Sequence, residues 1–224
     1  MSKIFNDFDL STFWEDAEWA DSEYVEPFPT PDVIRSVEVE LGYKLPAAYI
    51  ELMQSQNGGC PINTCHRTAT PTSWAEDHVS IAGFKGIGRT QIWSLCGELG
   101  SQQSNDEWGY PDVGIYFGDC PSAGHDMLCL DYRDCGPSGE PRVVHIDQQC
   151  DYRITHLADN FEAFIRGLEH EDAFEFESVD ASQEPPKIIS AWIAPDFARE
   201  QEGIGIDEAA ALKQPWWAFW RRDK

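Results

Sequence analysis

The sequence is poor in positive charge: 16 Lys and Arg stand against 40 Asp and Glu, a formal net charge of -24 over 224 residues. A chain so short of cations repels phosphate backbones and anionic headgroups, so neither nucleic acid nor a membrane is expected as a direct ligand. It also lacks long apolar runs, none approaching the roughly 20 residues that cross a bilayer. The opening segment Met1-Ser2-Lys3-Ile4-Phe5-Asn6-Asp7-Phe8-Asp9 has neither the basic nor the apolar stretch of a secretory signal. Framework cysteine spacing is missing too. The seven cysteines, at 60, 65, 96, 120, 129, 135 and 150, are odd in number and scattered, which reads as reduced thiols in a cytoplasm.

Apolar and aromatic residues are plentiful by contrast. Hydrophobic residues make up 42% and aromatics 12%, with nine Trp, too apolar a mixture for a disordered chain despite its charge. The length suits one cored domain, taken as residues 1–180, with an extension over 181–224. Besides keeping the chain soluble, the negative field favours fast encounter with a basic protein.

Along the chain, Phe13, Trp14 and Trp19 lie among carboxylates and prolines in a segment expected to strap across the domain. Thr30-Pro31-Asp32 reads as an N-cap, a proline at the first helical position and a first-turn acid; Val33, Ile34, Val37 and Leu41 follow at helical spacing and Gly42 terminates. Tyr49, Leu52 and Met53 mark a second helix, expected to end at Asn57-Gly58-Gly59. Strand-like runs cover 114–117, 127–132 and 142–146, with short connections that favour antiparallel pairing. Asp159-Asn160-Phe161-Glu162 matches a capping box ahead of Phe161, Phe164, Ile165 and Leu168. An acid-rich stretch then leads to Pro185-Pro186 and to an aromatic tail, Trp216-Trp217-Ala218-Phe219-Trp220. That tail can cover the domain, meet a partner or another copy, or touch a membrane interface.

Several of these words in this order resemble the SUKH superfamily, named for the fungal Smi/Knr cell-wall-assembly regulators. The matching pieces are Val39-Glu40-Leu41-Gly42-Tyr43-Lys44-Leu45-Pro46 with Asn57-Gly58-Gly59, Ile81-Ala82-Gly83 through Gly88, Leu128-Cys129-Leu130-Asp131-Tyr132-Arg133, Gly139-Glu140-Pro141, and Leu157-Ala158 before Phe161. The resemblance covers roughly residues 10 to 170 and implies an α+β fold with a central, mostly antiparallel sheet flanked by helices. It also implies a function through protein binding, either as a bacterial immunity protein for a cognate toxin or as a fungal-type regulatory module. The acidic stretch and the tail exceed what the family domain needs. Oligomeric state stays open.

Catalytic and metal chemistry finds little support in the sequence. Cys60-x4-Cys65-His66, with His78, Cys120 or His125 to complete it, lacks the paired knuckle of common zinc sites, so no metal or other cofactor is expected. Cys120 and His125 share one short turn-rich loop, where a nucleophile is less expected than a plain turn. Gly83-x-x-Gly86-x-Gly88 lacks the Gly-Lys-Ser/Thr of a phosphate loop. For partner binding, loops between strands are favoured: Asp106, Glu107 and Trp108 in one, and Asp119, His125 and Asp126 in another. They combine carboxylates with an aromatic anchor suited to a cationic active site. For Trp108, core packing is the plainer expectation. Asp131, closing a strand, is expected to bond turn amides.

Overall fold

A computed structural model describes residues 3–174, so the expectations for the extension over 181–224 and its aromatic tail lie outside the described residues. The N-terminal segment does run across the domain. Phe5 and Phe13 are buried in the main core, the Glu51 carboxylate accepts the Ile4 and Phe5 amides at 2.8 and 2.9 Å, and Trp14 Nε1 donates to Ser55 Oγ at 3.0 Å. The segment contains a 3-10 turn, Leu10–Thr12, and one short α-helix, α1 (Glu18–Glu23).

Helix α2 (Pro31–Leu41) has the ends its residue types suggest. Thr30 Oγ1 accepts from the Val33 amide, Pro31 holds the first turn, and Gly42 turns left-handed at φ 79°. Helix α3 (Ala47–Met53) stops earlier than expected, at Gln54. Asn57-Gly58-Gly59 is not its cap but a backbone crossing: a Cβ on Gly58 would lie 2.5 Å from the Tyr24 carbonyl and 2.8 Å from the Gly86 amide. Asn57 locks that crossing. Its Oδ1 accepts from the Ile87 amide at 2.7 Å, and its Nδ2 donates to the Pro27 and Ile87 carbonyls at 2.7 and 3.1 Å.

Short strands β1 (Cys65–Arg67), β2 (His78–Ser80) and β3 (Gly83–Phe84) precede helix α4 (Ser101–Asp106). The three expected strands follow as β4 (Gly114–Asp119), β5 (Asp126–Asp131) and β6 (Arg142–Asp147), then β7 (Arg153–Ala158), helix α5 (Phe161–Arg166) and β8 (Leu168–Glu169). Two antiparallel sheets result, a three-stranded β2-β1-β8 and a five-stranded β3-β4-β5-β6-β7. The fold is α+β. Asn160 Oδ1 caps α5 by accepting from the Ala163 amide, but Glu162 faces Arg166 instead of closing a capping box.

Strands β4, β5 and β6 are buried on both faces, and for that reason they read as continuous apolar runs instead of alternating ones. Ile115, Phe117, Leu128, Leu130 and Val143 face the main core with α2, α3 and α5 residues. Tyr116, Met127, Cys129, Val144 and Ile146 face a second, smaller core with Tyr110 and Val113, roofed by Trp108 and Tyr152. A bulge at Phe117, between Tyr116↔Cys129 and Gly118↔Leu128, shifts the β4 register ahead of its hairpin loop.

Candidate functional site

The loops at one end of the five-stranded sheet gather most of the residues singled out above. Asp119 closes β4 and Asp126 opens β5, so both stand at the base of the loop 120–125. Both are also buried, at 5% and 2% exposure, and their carboxylates serve the core instead of reaching outward. Lys85 Nζ donates to Asp119 Oδ1 at 2.8 Å and to the Leu99 carbonyl at 2.8 Å, lies 4.4 Å from the Trp93 ring centroid, and is fully buried. Tyr24 Oη donates to Asp119 Oδ2 at 3.2 Å. Burial pulls the Lys85 ammonium down and the Asp119 carboxyl up, each toward neutrality, and their contact opposes both shifts.

Asp126 is differently placed. Its Oδ2 lies 2.6 Å from His145 Nε2, both residues buried, while Asp126 Oδ1 and His145 Nδ1 are buried without a hydrogen-bond partner. Cys120 joins them as the third member of a compact Cys-Asp-His group. Burial, then the Asp126 and Asp119 charges, hold the Cys120 thiol far above the ordinary thiol range, which does not suit a nucleophile. His125, the base considered for it in the sequence, is exposed, with Nδ1 3.3 Å from Gln148 Oε1. Among the described residues, Cys60, Cys65 and His66 form no ligand cluster. His66 Nδ1 sits 2.8 Å from the Arg67 carbonyl oxygen and the ring stacks on Phe164.

The outer layer is exposed to solvent. Asp106 ends α4 and Glu107 caps it, both exposed; the stretch 105–107 is helix end, not the loop expected. Trp108 is half-buried, its ring against Gly124 of the hairpin loop, and its carbonyl accepts from Tyr152 Oη at 2.7 Å and Gln148 Nε2 at 3.2 Å. The Gln148 amide donates to the His125 carbonyl at 2.9 Å. Trp108, His125, Gln148 and Tyr152 therefore form one connected surface, edged by Asp106 and Glu107. Next to it a cleft of about 380 Å³ is lined by Tyr43, Gln102, Asn105, Asp106 and Asp112, among others.

The backbone of this surface is unusual. Among the described residues, the non-glycine residues with positive φ are Ala123 (56°), Asp151 (57°) and Tyr152 (55°), in the two loops that meet here. Such conformations cost of order 1 kcal/mol or more each and persist only where surrounding contacts over-determine them. Gln148 and Tyr152 escaped the sequence reading. The one available signal was the polar turn Asp147-Gln148-Gln149-Cys150-Asp151 between apolar strands.

At the other end of β5, Asp131 bonds the Arg133 amide at 3.1 Å, as expected, and pairs with Arg133 at 2.7 Å and Arg142 at 2.9 Å. Burial raises its carboxyl, but these bonds outweigh burial and hold it at about 2.

The geometry defines an α+β domain that presents loops at a sheet end. A family model described as SUKH_6, SMI1-KNR4 cell-wall, matches residues 31–165. The chain belongs to the SUKH family. A search of curated proteins returned no match. Among the described residues no helix is long and apolar enough to cross a membrane.

Proposed function

We propose that this is an immunity protein, which binds a cognate toxin domain in the cytoplasm and neutralises it by occluding its active site, without catalysis of its own. The observation that carries the reading is the loop surface around Trp108 and His125. A half-buried aromatic stands among exposed carboxylates on a backbone held in strained conformations, a combination of anchor and rigidity that binding surfaces use. Family membership supports it, and the net charge of -24 points to a basic partner, of which a nuclease is one kind. Of the six residues singled out in the sequence, Asp106, Glu107, Trp108 and His125 remain available for direct contact. Asp119 and Asp126 act from beneath, holding the hairpin loop.

Such an inhibitor works by slow release. Dissociation constants on the order of 10⁻¹³ M are within reach of pairs of this type, with salt-sensitive association near 10⁸ per molar per second. The test is co-expression with a basic toxin candidate, scored by growth and by recovery of a one-to-one complex. Trp108→Ala is expected to weaken that complex by about 2 kcal/mol or more. Growth arrest despite co-expression, with capture of several other proteins at low affinity, would support the second reading. That reading is a regulatory or scaffolding module, favoured by the SMI1-KNR4 cell-wall description of the matching family.

A further inference from the structure

Cys120 Sγ, a carboxylate oxygen of Asp126 and a ring nitrogen of His145 all lie within 4.8 Å of one another, and all three residues are buried. We propose that these residues bind a divalent cation of the zinc class at the base of the β4–β5 hairpin loop.

Two further observations converge on this site. Asp126 Oδ1 and His145 Nδ1 are buried without partners, and buried polar atoms are so consistently satisfied that each exception requires an explanation. Lysine and arginine also serve the neighbouring carboxylates and not Asp126. Of the buried carboxylates near Cys120, Asp119 has Lys85 at 2.8 Å, while Asp147 accepts the Ser73 and Cys150 amides and has Arg153 at 3.8 Å. Asp126 has only the imidazole among the described residues. A divalent cation with one thiolate and one carboxylate forms a neutral unit, the form that burial favours.

The donor set then selects the metal. Sulfur, imidazole nitrogen and one carboxylate oxygen suit Zn²⁺ or Co²⁺; Mg²⁺ and Ca²⁺ prefer all-oxygen shells. Tetrahedral coordination at about 2.0–2.3 Å places ligand atoms roughly 3.3–3.8 Å apart. Side-chain shifts on the order of 1 Å therefore fit the site to the metal, drawing the outermost atoms in from 4.8 Å and parting Asp126 Oδ2 from His145 Nε2, which lie 2.6 Å apart. As the metal binds, the Cys120 S–H bond breaks, its proton leaves to solvent and a sulfur–metal bond forms, with no change of oxidation state. A water or the second Asp126 oxygen takes the fourth position, since Asp147 is committed to its two amides. The ligands come from the residue just past β4, the first residue of β5 and the interior of β6, a spacing that resembles no linear motif and that the sequence alone could not announce.

The full-length chain, stripped with chelator, is titrated with Co²⁺ and then Zn²⁺. One Co²⁺ per chain is expected, with a thiolate-to-cobalt charge-transfer band that Zn²⁺ abolishes on displacement. X-ray absorption on the zinc form should find one sulfur and the remainder nitrogen or oxygen. Cys120→Ser should remove the band and weaken binding about 100-fold or more, while Cys65→Ser leaves both intact. Absence of stoichiometric uptake, two or more sulfurs around zinc, or a band that survives Cys120→Ser would each overturn the assignment. Should Cys120→Ser fail to fold by circular dichroism, the absorption spectrum of the unmutated chain decides alone.

Discussion

Asp119 and Asp126 bracket one hairpin loop, seven positions apart, and both are buried, yet they solve the problem of a buried charge in opposite ways. Asp119 is saturated by a fully buried Lys85 and by Tyr24. Asp126 has an imidazole on one oxygen and nothing on the other. The first is a closed structural unit and the second an open one. What separates them is the partner brought by tertiary structure, not the residue type or its distance from the loop.

The contrast is broken first by removing a partner from the closed unit. Lys85→Met leaves Asp119 as an uncompensated buried charge and is expected to destabilise the fold by about 3–5 kcal/mol in urea unfolding. Lys85→Met combined with Asp119→Leu should recover most of that loss. In metal-stripped protein, Asp126→Asn should cost about 1 kcal/mol or less, since half of its hydrogen-bonding capacity is already unused. Equal losses from Lys85→Met and Asp126→Asn would erase the distinction.

Asp131 provides a third case, a closed unit at the opposite end of β5, and sharpens the comparison through pH. Its folded-state carboxyl is lowered from the ordinary 3.8 to about 2. Its contribution is therefore complete above about pH 4 and is lost as pH falls toward 2. Allowing for solvent screening by its two partly exposed arginines, Asp131→Asn should remove about 1–2 kcal/mol at neutral pH. The mutant should also show a flatter acid-unfolding curve through that window. An unchanged curve would mean that the arginine pairing contributes nothing.

How much of this was legible in the sequence depends on whether the information was local. Thr30, Pro31 and Gly42 bound α2 because capping is decided within one turn, and the apolar runs of β4, β5 and β6 announce strands buried on both faces. Strands β1, β3 and β8, two or three residues each, are too short to show a period. Helix α4, Ser101-Gln102-Gln103-Ser104-Asn105-Asp106, has no apolar stripe to reveal it. Gly58 and Gly59 suggested a helix end, and the positive φ is present, but Gly58 lets backbone pass close to Tyr24 and Gly86, while Gly59 leaves room for the Gln56 side chain. The burial of Asp119 and Asp126 was invisible for a related reason. Their partners lie 34 and 19 residues away, and nothing local distinguishes them from the other carboxylates.

The smallest effect on stability belongs to the exposed side of the same region, where the largest effect on binding is expected. Asp106 is exposed, lines the cleft beside Tyr43 and Asp112, and has no salt-bridge partner among the described residues. Asp106→Lys should change unfolding free energy by no more than about 0.5 kcal/mol, as surface substitutions do. A reversed charge on the rim of the interface should nevertheless slow association with a basic partner, and the difference from wild type should shrink as salt rises and screening shortens to about 8 Å. Stopped-flow association at two ionic strengths separates the two contributions. A rate unchanged at low salt would move the partner-facing surface away from Trp108 and His125, while the buried carboxylates beneath would keep their roles in the fold.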